Sequence, residues 1–173
     1  KRQKSCKKEP AYKRTSPGEE HPETATSYHN LAGVYESQGK YQKAEELYEK
    51  SLQIRERALG EEHPDTAASY HNLAFVYESQ GEYQKAGELY EKSLHIRERT
   101  LGEEHPSTAA SYHNLARVYY AQRHYELALA YCMKAYKIFV SRLGCEHPRT
   151  IMARKNLEKH IENGIQKIIL SNG

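Results

Sequence analysis

The chain has 173 residues, a formal net charge of +3 at pH 7 and 38% hydrophobic residues. That composition is lean for one central core, and it favours an elongated stack in which each layer buries only a stripe of side chains. The nearly balanced charge does not require a nucleic acid or an anionic membrane as partner. No apolar run approaches the ~18 residues of a membrane span, so we predict neither partner.

Residues 1–18 carry an excess of cations, KRQKSCKK, and align poorly with the rest of the chain. We interpret the segment as a degenerate leader, the end of a preceding helix. Its cations are interpreted as those of a solvated terminus, and a basic targeting tail is the alternative. No apolar stretch marks a signal peptide. The three cysteines fit no metal motif and favour a reducing compartment, so we expect a cytoplasmic protein. They are Cys6, Cys132 and Cys145.

From residue 19 onward the sequence repeats with a period of 42. Residues 19–60 and 61–102 agree at 35 of 42 positions, and residues 103–144 keep the frame while their second half diverges. We predict one continuous repeat domain with these three repeats, followed by a C-terminal capping helix and tail at residues 145–173. The His-Pro pairs that mark the period contain His21, His63, His105 and His147.

Each repeat divides into two helical patterns, which the second copy shows well. Residues 66–80 place alanine, tyrosine and leucine on one helical face, and Gly81 fits the end of that helix. A second pattern covers residues 83–101 and ends at Gly102, after which Pro106 suits the first turn of the next helix. No window alternates with period two. The predicted fold class is therefore all-α, an alpha-alpha superhelix built as a solenoid of antiparallel helix pairs.

The motif Leu-Ala-x-x-Tyr, followed in the next helix by Gly-x-Tyr-x-x-Ala, resembles the tetratricopeptide repeat. The three copies read LAGVYESQGKYQKA, LAFVYESQGEYQKA and LARVYYAQRHYELA. The 42-residue unit, which ends in LGEEHP, is similar to the repeats of kinesin light chains. The resemblance implies a right-handed superhelix in which the first helix of each pair lines a concave groove, and the groove binds a peptide.

Two sets of histidines recur, and we predict that neither holds a metal or catalyses a reaction. Those of the His-Pro pairs are interpreted as turn residues that cap a helix start. Successive repeats lie roughly 10 Å apart, whereas zinc needs its ligand nitrogens about 2 Å away. No nucleophile motif, facing carboxylate column or phosphate loop accompanies the second set. We predict no catalytic residue, metal or cofactor. The second set is His29, His71 and His113.

An asparagine follows each histidine of the second set, and the fourth copy keeps the asparagine. A carboxamide offers one acceptor and two donors, so it can meet the C=O and N–H of an extended peptide whatever the peptide's side chains. The resemblance implies that this column contacts peptide backbone. A hydrogen bond between helices that fixes the superhelix twist is the alternative, and both remain open. The column is Asn30, Asn72, Asn114 and Asn156.

Groove positions that differ between copies are expected to set specificity. Phe75 offers an apolar face, with packing against the neighbouring first helix as the alternative. Arg117, Lys155 and Lys159 make the later half of the groove cationic. The predicted ligand is an extended segment with an apolar or aromatic anchor and acidic residues. The two variable columns read Gly33, Phe75, Arg117, Lys159 and Glu36, Glu78, Tyr120, Glu162.

The predicted function is a non-catalytic scaffold that binds an extended peptide segment of a protein partner in the concave groove. The alternative is a structural spacer or self-association module of a larger signalling or regulatory protein. Nucleic-acid binding has little support, because the cations are not striped along the repeats. The candidate groove residues are His29, Asn30, His71, Asn72, Phe75, Glu78, His113, Asn114, Arg117, Tyr120, Lys155, Asn156 and Lys159.

Overall fold

The computed structural model describes the backbone of residues 21–171 and the side chains of residues 21–162. Within that range the chain forms seven α-helices and no strand, which confirms the all-α class. The last helix continues through the tail to Ser171 and does not fold back. The leader predicted at residues 1–18 lies outside the described residues. The helices are α1 (Pro22–Ser37), α2 (Tyr41–Leu59), α3 (Pro64–Gln80), α4 (Tyr83–Leu101), α5 (Pro106–Ala121), α6 (Tyr125–Leu143) and α7 (Pro148–Ser171).

Each first helix of a pair begins at a His-Pro pair, where the imidazole caps the helix. Nδ1 of His63 accepts a hydrogen bond from the backbone N–H of Asp65 at 3.1 Å. Pro64 follows as the first helical residue, where its missing N–H leaves no bond unmade. This confirms the interpretation of these histidines as cap residues. The same bond measures 3.2, 3.1 and 3.2 Å at His21, His105 and His147.

Glycines end the helices of the second pair where the sequence predicts. Gly81, after α3, has φ 82° and ψ 8°, the left-handed conformation that favours glycine. Gly102, after α4, has φ 87°. Its carbonyl accepts a hydrogen bond from Oγ1 of Thr108 at 2.8 Å, which links this glycine to the first helical turn of α5. These turns direct each helix back along its neighbour.

Every second helix packs against two first helices, its own and that of the following repeat. Fully buried alanines let the paired helices approach closely, and tyrosine rings fill the space between layers. The core is therefore a continuous stripe along the stack, as expected of a solenoid. Its largest fully buried side chains include Tyr48, Tyr90, Tyr112, Phe139 and Leu115.

Hydrogen bonds from tyrosine to glutamate hold successive layers in register. The hydroxyl of Tyr70 on α3 donates to Glu56 on the preceding α2 at 2.6 Å. Tyr112 on α5 donates to Glu98 on α4 at 2.5 Å. Burial, with the accepting glutamate as a second cause, raises the pKa of Tyr70 and Tyr112. Each phenol thus stays protonated and buries its ring without losing its hydrogen bond. Two helical turns further on, Tyr77 and Tyr119 donate in the same way to Glu49 and Glu91.

One repeat position offers a matched test of this stacking. Leu115 is 0% exposed, whereas Leu31, at the same position of the first repeat, is 45% exposed. We expect Leu115→Ala to lower the free energy of unfolding by about 2–5 kcal/mol, because it leaves a cavity. Leu31→Ala should change it by less than about 1 kcal/mol. Urea unfolding followed by circular dichroism measures both, and equal losses would contradict the layered core.

Candidate functional site

The predicted groove residues lie on the first helices α1, α3, α5 and α7, in columns one repeat apart. We call them together the His–Asn face. Asn30, Lys155 and Lys159 are exposed, His113 is buried, and most of the other members are half-buried. The His–Asn face consists of His29, Asn30, His71, Asn72, Phe75, Glu78, His113, Asn114, Arg117, Tyr120, Lys155, Asn156 and Lys159.

Hydrogen bonds join the histidines and asparagines of this face across successive repeats. The amide of Asn72 on α3 lies 3.0 Å from Nε2 of His29 on α1, measured to Nδ2. Each such pair connects two neighbouring first helices. The inter-helix bond that the sequence left open is therefore present for three of the four asparagines. The remaining pairs are Asn114 with His71 at 3.4 Å and Asn156 with His113 at 3.2 Å.

An arginine from the second helix reaches the same histidine on its other nitrogen. Nη1 of Arg97 on α4 lies 3.1 Å from Nδ1 of His71. The same Nη1 donates to Oγ of Ser111 at 2.7 Å and to the carbonyl of Ser107 at 3.3 Å, both on α5. One guanidinium thus connects α3 and α5, the first helices of two successive repeats. Arg55 does the same with His29 at 3.4 Å, Ser69 at 2.9 Å and the carbonyl of Asp65 at 3.0 Å.

The arginine determines which nitrogen of the histidine carries the proton. A guanidinium only donates, so Nδ1 of His71 accepts, and the one N–H of the neutral ring is at Nε2. That donor needs an acceptor, and the acceptor of an asparagine side chain is its oxygen. A 180° rotation exchanges the oxygen and nitrogen of the amide, and the hydrogen-bond network decides between the two orientations. The amides of Asn72 and Asn114 therefore turn their oxygen to the ring and their NH₂ group away from it.

The imidazoles of the network are neutral at pH 7. Burial, with the charge of Arg97 as a second cause, lowers the pKa of His71 to about 3. Burial and then Arg55 lower the pKa of His29 to about 4. A protonated ring has no free lone pair, so protonation would remove the acceptor of the arginine. The network thus requires the neutral form that burial already favours.

The third layer lacks the arginine. Phe139 stands at the position of Arg55 and Arg97, and Ala153 stands where α3 and α5 have a serine. The two changes match, because an apolar ring replaces a donor and a methyl group replaces its acceptor. Nδ1 of His113 is buried without a hydrogen-bond partner among the described residues. No arginine therefore sets the ring tautomer or the amide orientation of Asn156.

The variable columns mix apolar and charged side chains. Phe75 is half-buried and packs against the core, so part of its ring remains exposed. Arg117 forms an ion pair of 2.7 Å with Glu78, whose side chain is 9% exposed. Burial raises the pKa of Glu78, against the opposite effects of Arg117 and Tyr90. Because Glu78 compensates Arg117, the predicted cationic character of the later half rests on Lys155 and Lys159.

Tyr120 is the centre of an aromatic patch at the end of the face. Its ring centroid lies 4.7 Å from that of His160 and 5.5 Å from that of Tyr125. Nζ of Lys159 lies 5.0 Å from the Tyr120 centroid, a cation–π distance. The patch therefore places an exposed cation over a half-buried ring, which suits an acidic or aromatic ligand group.

Three residues of the site were not predicted from the sequence. Arg55 and Arg97 resemble the charged residues of the outer helices, and His160 replaces a valine of the other copies. Comparing the copies could have revealed the arginines: a cation that becomes Phe139 in the third copy indicates a buried position. For His160 the repeat pattern offers no such signal.

In the part of the chain that the structure describes, no three histidine, cysteine, aspartate or glutamate side chains gather as a metal site would need. Nor does any helix there combine the length and apolar character of a membrane span.

The stacked helix pairs and their linked first helices define an α-solenoid of the helical-repeat class. The family model of the tetratricopeptide repeat matches residues 11–57, 23–94 and 65–139, and the chain belongs to this family. A crystal structure from Podosopora anserina, described as a kinesin light chain with nearly identical TPR-like repeats, is 35% identical. The match covers 88% of this chain and 72% of that protein, with a TM-score of 0.72.

More distant structures share the fold alone. The N-terminal domain of stress-induced protein-1 from C. elegans is 18% identical; the match covers 79% of this chain and 96% of that domain, with a TM-score of 0.58. The Sgt2 TPR domain from Aspergillus fumigatus is also 18% identical, with coverages of 86% and 82% and a TM-score of 0.61. Comparison with curated protein sequences gives no match.

The buried histidines predict a dependence of stability on pH. In the unfolded chain a histidine binds a proton near pH 6.5, whereas in the folded chain His71 stays neutral down to about pH 3. The unfolded state therefore binds more protons, and stability falls as the pH drops below about 6.5, by up to about 1.4 kcal/mol per pH unit for each ring. His71→Gln should flatten this slope in urea unfolding between about pH 6.5 and 5. A slope that the replacement leaves unchanged would contradict the neutral network.

The tautomer can be measured directly by NMR. Long-range ¹H–¹⁵N correlation at neutral pH should show His71 protonated at Nε2 and bare at Nδ1. Arg97→Met removes the donor and keeps the apolar stem, so the Nδ1–H form of His71 should appear and its pKa should rise. His113, which has no arginine partner at Nδ1, serves as the internal control and should not change. An Nδ1–H form of His71 in the parent chain would refute the orientation derived for the amides.

Proposed function

We propose that the chain is a non-catalytic protein-interaction scaffold whose His–Asn face forms a concave groove for an extended peptide segment. Tetratricopeptide repeats indicate an interaction scaffold in general. The observation that carries the finer proposal is the contact of Asn72 and Asn114, one repeat apart, with histidines whose Nδ1 faces an arginine; from it follows the amide orientation derived above. Each keeps an NH₂ group that the bond to histidine does not use.

These NH₂ groups are suited to the carbonyl oxygens of a peptide backbone. An extended chain presents carbonyls at regular intervals, whatever its side chains. Because the amide is held by a histidine that is itself held by an arginine, it loses little freedom when a ligand arrives. The same asparagine therefore serves the stack with its oxygen and the ligand with its nitrogen.

The side chains beside the amides indicate the character of the ligand. The exposed part of Phe75 offers an apolar contact near the middle of the face. Lys155 and Lys159 offer cations at the C-terminal end, the second beside the Tyr120 ring. The ligand that fits is an extended protein segment with an apolar or aromatic anchor toward Phe75 and acidic residues toward the lysines.

The histidines of the face are poor candidates for catalysis. His29 and His71 are neutral, half-buried and hydrogen-bonded on both nitrogens. A general base needs a pKa near the operating pH and access to the proton it abstracts. Two described cysteines, Cys132 and Cys145, are free thiols, which supports the proposal of a reducing compartment such as the cytoplasm.

A peptide library with an aromatic anchor and acidic residues tests the groove on the full chain. Asn72→Asp replaces the NH₂ donors with a carboxylate that repels peptide carbonyls, and it should weaken the best binder about tenfold or more. Phe75→Ala should weaken the binding of peptides with an aromatic anchor more than the binding of the same peptides with alanine in place of the anchor. The double substitution Lys155→Glu and Lys159→Glu should selectively weaken the binding of acidic peptides.

Gln53→Glu, on the exposed side of α2 and outside the face, is the matched control and should leave binding unchanged. Affinities are measured by fluorescence anisotropy. Binding that survives all three groove changes would show that the ligand lies elsewhere, and the absence of any binder weakened by Asn72→Asp would count against backbone recognition.

A further inference from the structure

One glutamate of the variable columns has a cation beside it, and its counterpart one repeat earlier has none among the described residues. Glu78 on α3 forms its ion pair of 2.7 Å with Arg117, which belongs to the next first helix, α5. Glu36 stands at the same position on α1. By the 42-residue step its partner would come from residue 75 of α3, and that residue is Phe75. Glu36 therefore has a phenyl ring at the position where Glu78 has a guanidinium.

No other described cation takes the place of the arginine at Glu36. The hydroxyl of Tyr48 on α2 donates to this carboxylate at 2.9 Å, and no ion pair among the described residues involves it. Lys40, the nearest lysine along the chain, donates to Gln38 at 2.8 Å instead. Glu78 takes its partners from its own helix pair and from the following first helix. For Glu36 the corresponding helices are α1, α2 and α3, so the comparison uses described helices only.

The space beside the Glu36 carboxylate is open to a ligand group. Gly33 lies one helical turn before Glu36 and contributes no side chain, whereas the residue one turn before Glu78 is Phe75. A Cβ built at Gly33 would have one neighbour within 4 Å, the Tyr48 hydroxyl at 3.5 Å. A charged group of a ligand can therefore approach Glu36 along the His–Asn face without displacing a side chain of α1.

The charges of the variable columns change along the stack. At the α1 end the carboxylate of Glu36 has no described cation beside it, and in the middle the ion pair of the second layer is balanced. At the α7 end two exposed lysines, Lys155 and Lys159, outnumber Glu162. A ligand complementary to the whole face needs the opposite order, with a cation at one end and acidic residues at the other. Such an arrangement favours one direction and one register of an extended chain.

We propose that Glu36 is a binding site for a basic side chain, arginine in preference to lysine, of the segment held in the groove. The inference rests on the function proposed above and adds a requirement for the ligand. The guanidinium forms with Glu36 the ion pair that Arg117 forms with Glu78, and it lies against the exposed part of the Phe75 ring. Arginine is favoured because its planar, forked guanidinium both stacks on a ring and pairs with a carboxylate.

The spacing of the repeats predicts where in the ligand the basic residue stands. First helices of successive repeats lie roughly 10 Å apart, so Glu36 and the lysines of α7 are separated by roughly 30 Å. An extended chain covers that distance in about nine residues and one repeat in about three. Phe75 is one repeat from α1. We therefore expect the arginine about two to four residues from the apolar or aromatic anchor, on the side away from the acidic residues.

A scan of the peptide library on the full chain tests this site. In each fluorescein-labelled peptide, one position about two to four residues from the aromatic anchor, on the side away from the acidic residues, carries arginine, lysine or citrulline. Citrulline is the neutral isostere of arginine. At one of these positions arginine should bind about tenfold more tightly than citrulline in fluorescence anisotropy, with lysine between them.

Variants of the chain identify the partner of the arginine. Glu36→Gln removes the charge but keeps an oxygen for the Tyr48 hydroxyl, and it should reduce the advantage of arginine over citrulline to less than about twofold. Glu46→Gln, on the exposed side of α2, is the matched control and should leave that advantage unchanged. Phe75→Leu keeps apolar bulk without a ring, so it should bring the affinity of the arginine peptide closer to that of the lysine peptide.

A substitution within the chain tests the same site without a peptide. Phe75→Arg places a guanidinium relative to Glu36 as Arg117 is placed relative to Glu78. In the Phe75→Arg chain, Glu36→Gln should raise the equilibrium constant of unfolding about threefold more than it does in the parent chain. Urea unfolding of the four chains, followed by circular dichroism, measures this difference.

The site and the groove fail in different ways. Peptides that bind and are weakened by Asn72→Asp, but prefer arginine at no position, would overturn the Glu36 site and leave the groove intact. An arginine preference that survives Glu36→Gln would also overturn the site. A library without any binder would overturn both proposals. Equal effects of Glu36→Gln in the parent and Phe75→Arg chains would overturn the site whatever the peptides show.

Discussion

In its first two layers, the stack is held by an arginine whose guanidinium lies between successive first helices. Removing a charge from water is costly unless its hydrogen bonds are replaced, and Arg97 finds its acceptors on the first helices of two successive repeats. None of its bonds among the described residues goes to a carboxylate, so each acceptor must lie in place for the charge to be tolerated. A slip of one helix against the next would leave His71 or Ser111 out of reach. In these two layers the arginine therefore fixes the register together with the tyrosine–glutamate hydrogen bonds.

That register also decides how the polar groups of the His–Asn face are oriented. The arginine makes the histidine an acceptor at Nδ1, the histidine then donates from Nε2, and the asparagine accepts with its oxygen. The bond between helices uses only the oxygen of the Asn72 carboxamide, so it does not exclude the peptide contact that we propose for the NH₂ group. In the third layer, where Phe139 replaces the arginine, the packing is equally close but this chain of orientation ends at Asn156.

The helices can be predicted from local sequence signals, whereas the contacts of the site cannot. Helix bounds, the His-Pro caps and the family could be predicted, because periodicity, proline and glycine act within a few residues of where they stand. The partner of Asn72 is 43 residues away along the chain. Arg117 likewise looks like a free cation in its own helix and is compensated by Glu78 of the previous repeat. Contacts across layers become evident only once the layers are stacked, although the paired appearance of Phe139 and Ala153 in one copy already indicates contact.

The first and last described helices of the stack differ in the polar groups that they carry. At α7, Arg154 and Ile161 replace the tyrosines that α3 and α5 use, and α6 below offers Val140 and Met133 in place of glutamates. Donors and acceptors are thus lost together at that junction. At α1 the tyrosines remain, and the residues one repeat before the glutamates of α2 are cations. A face that keeps its donors costs little in water, because phenol hydroxyls are well hydrated there. The described stack therefore keeps at α1 the polar groups that its layers use on one another, and it loses them at α7.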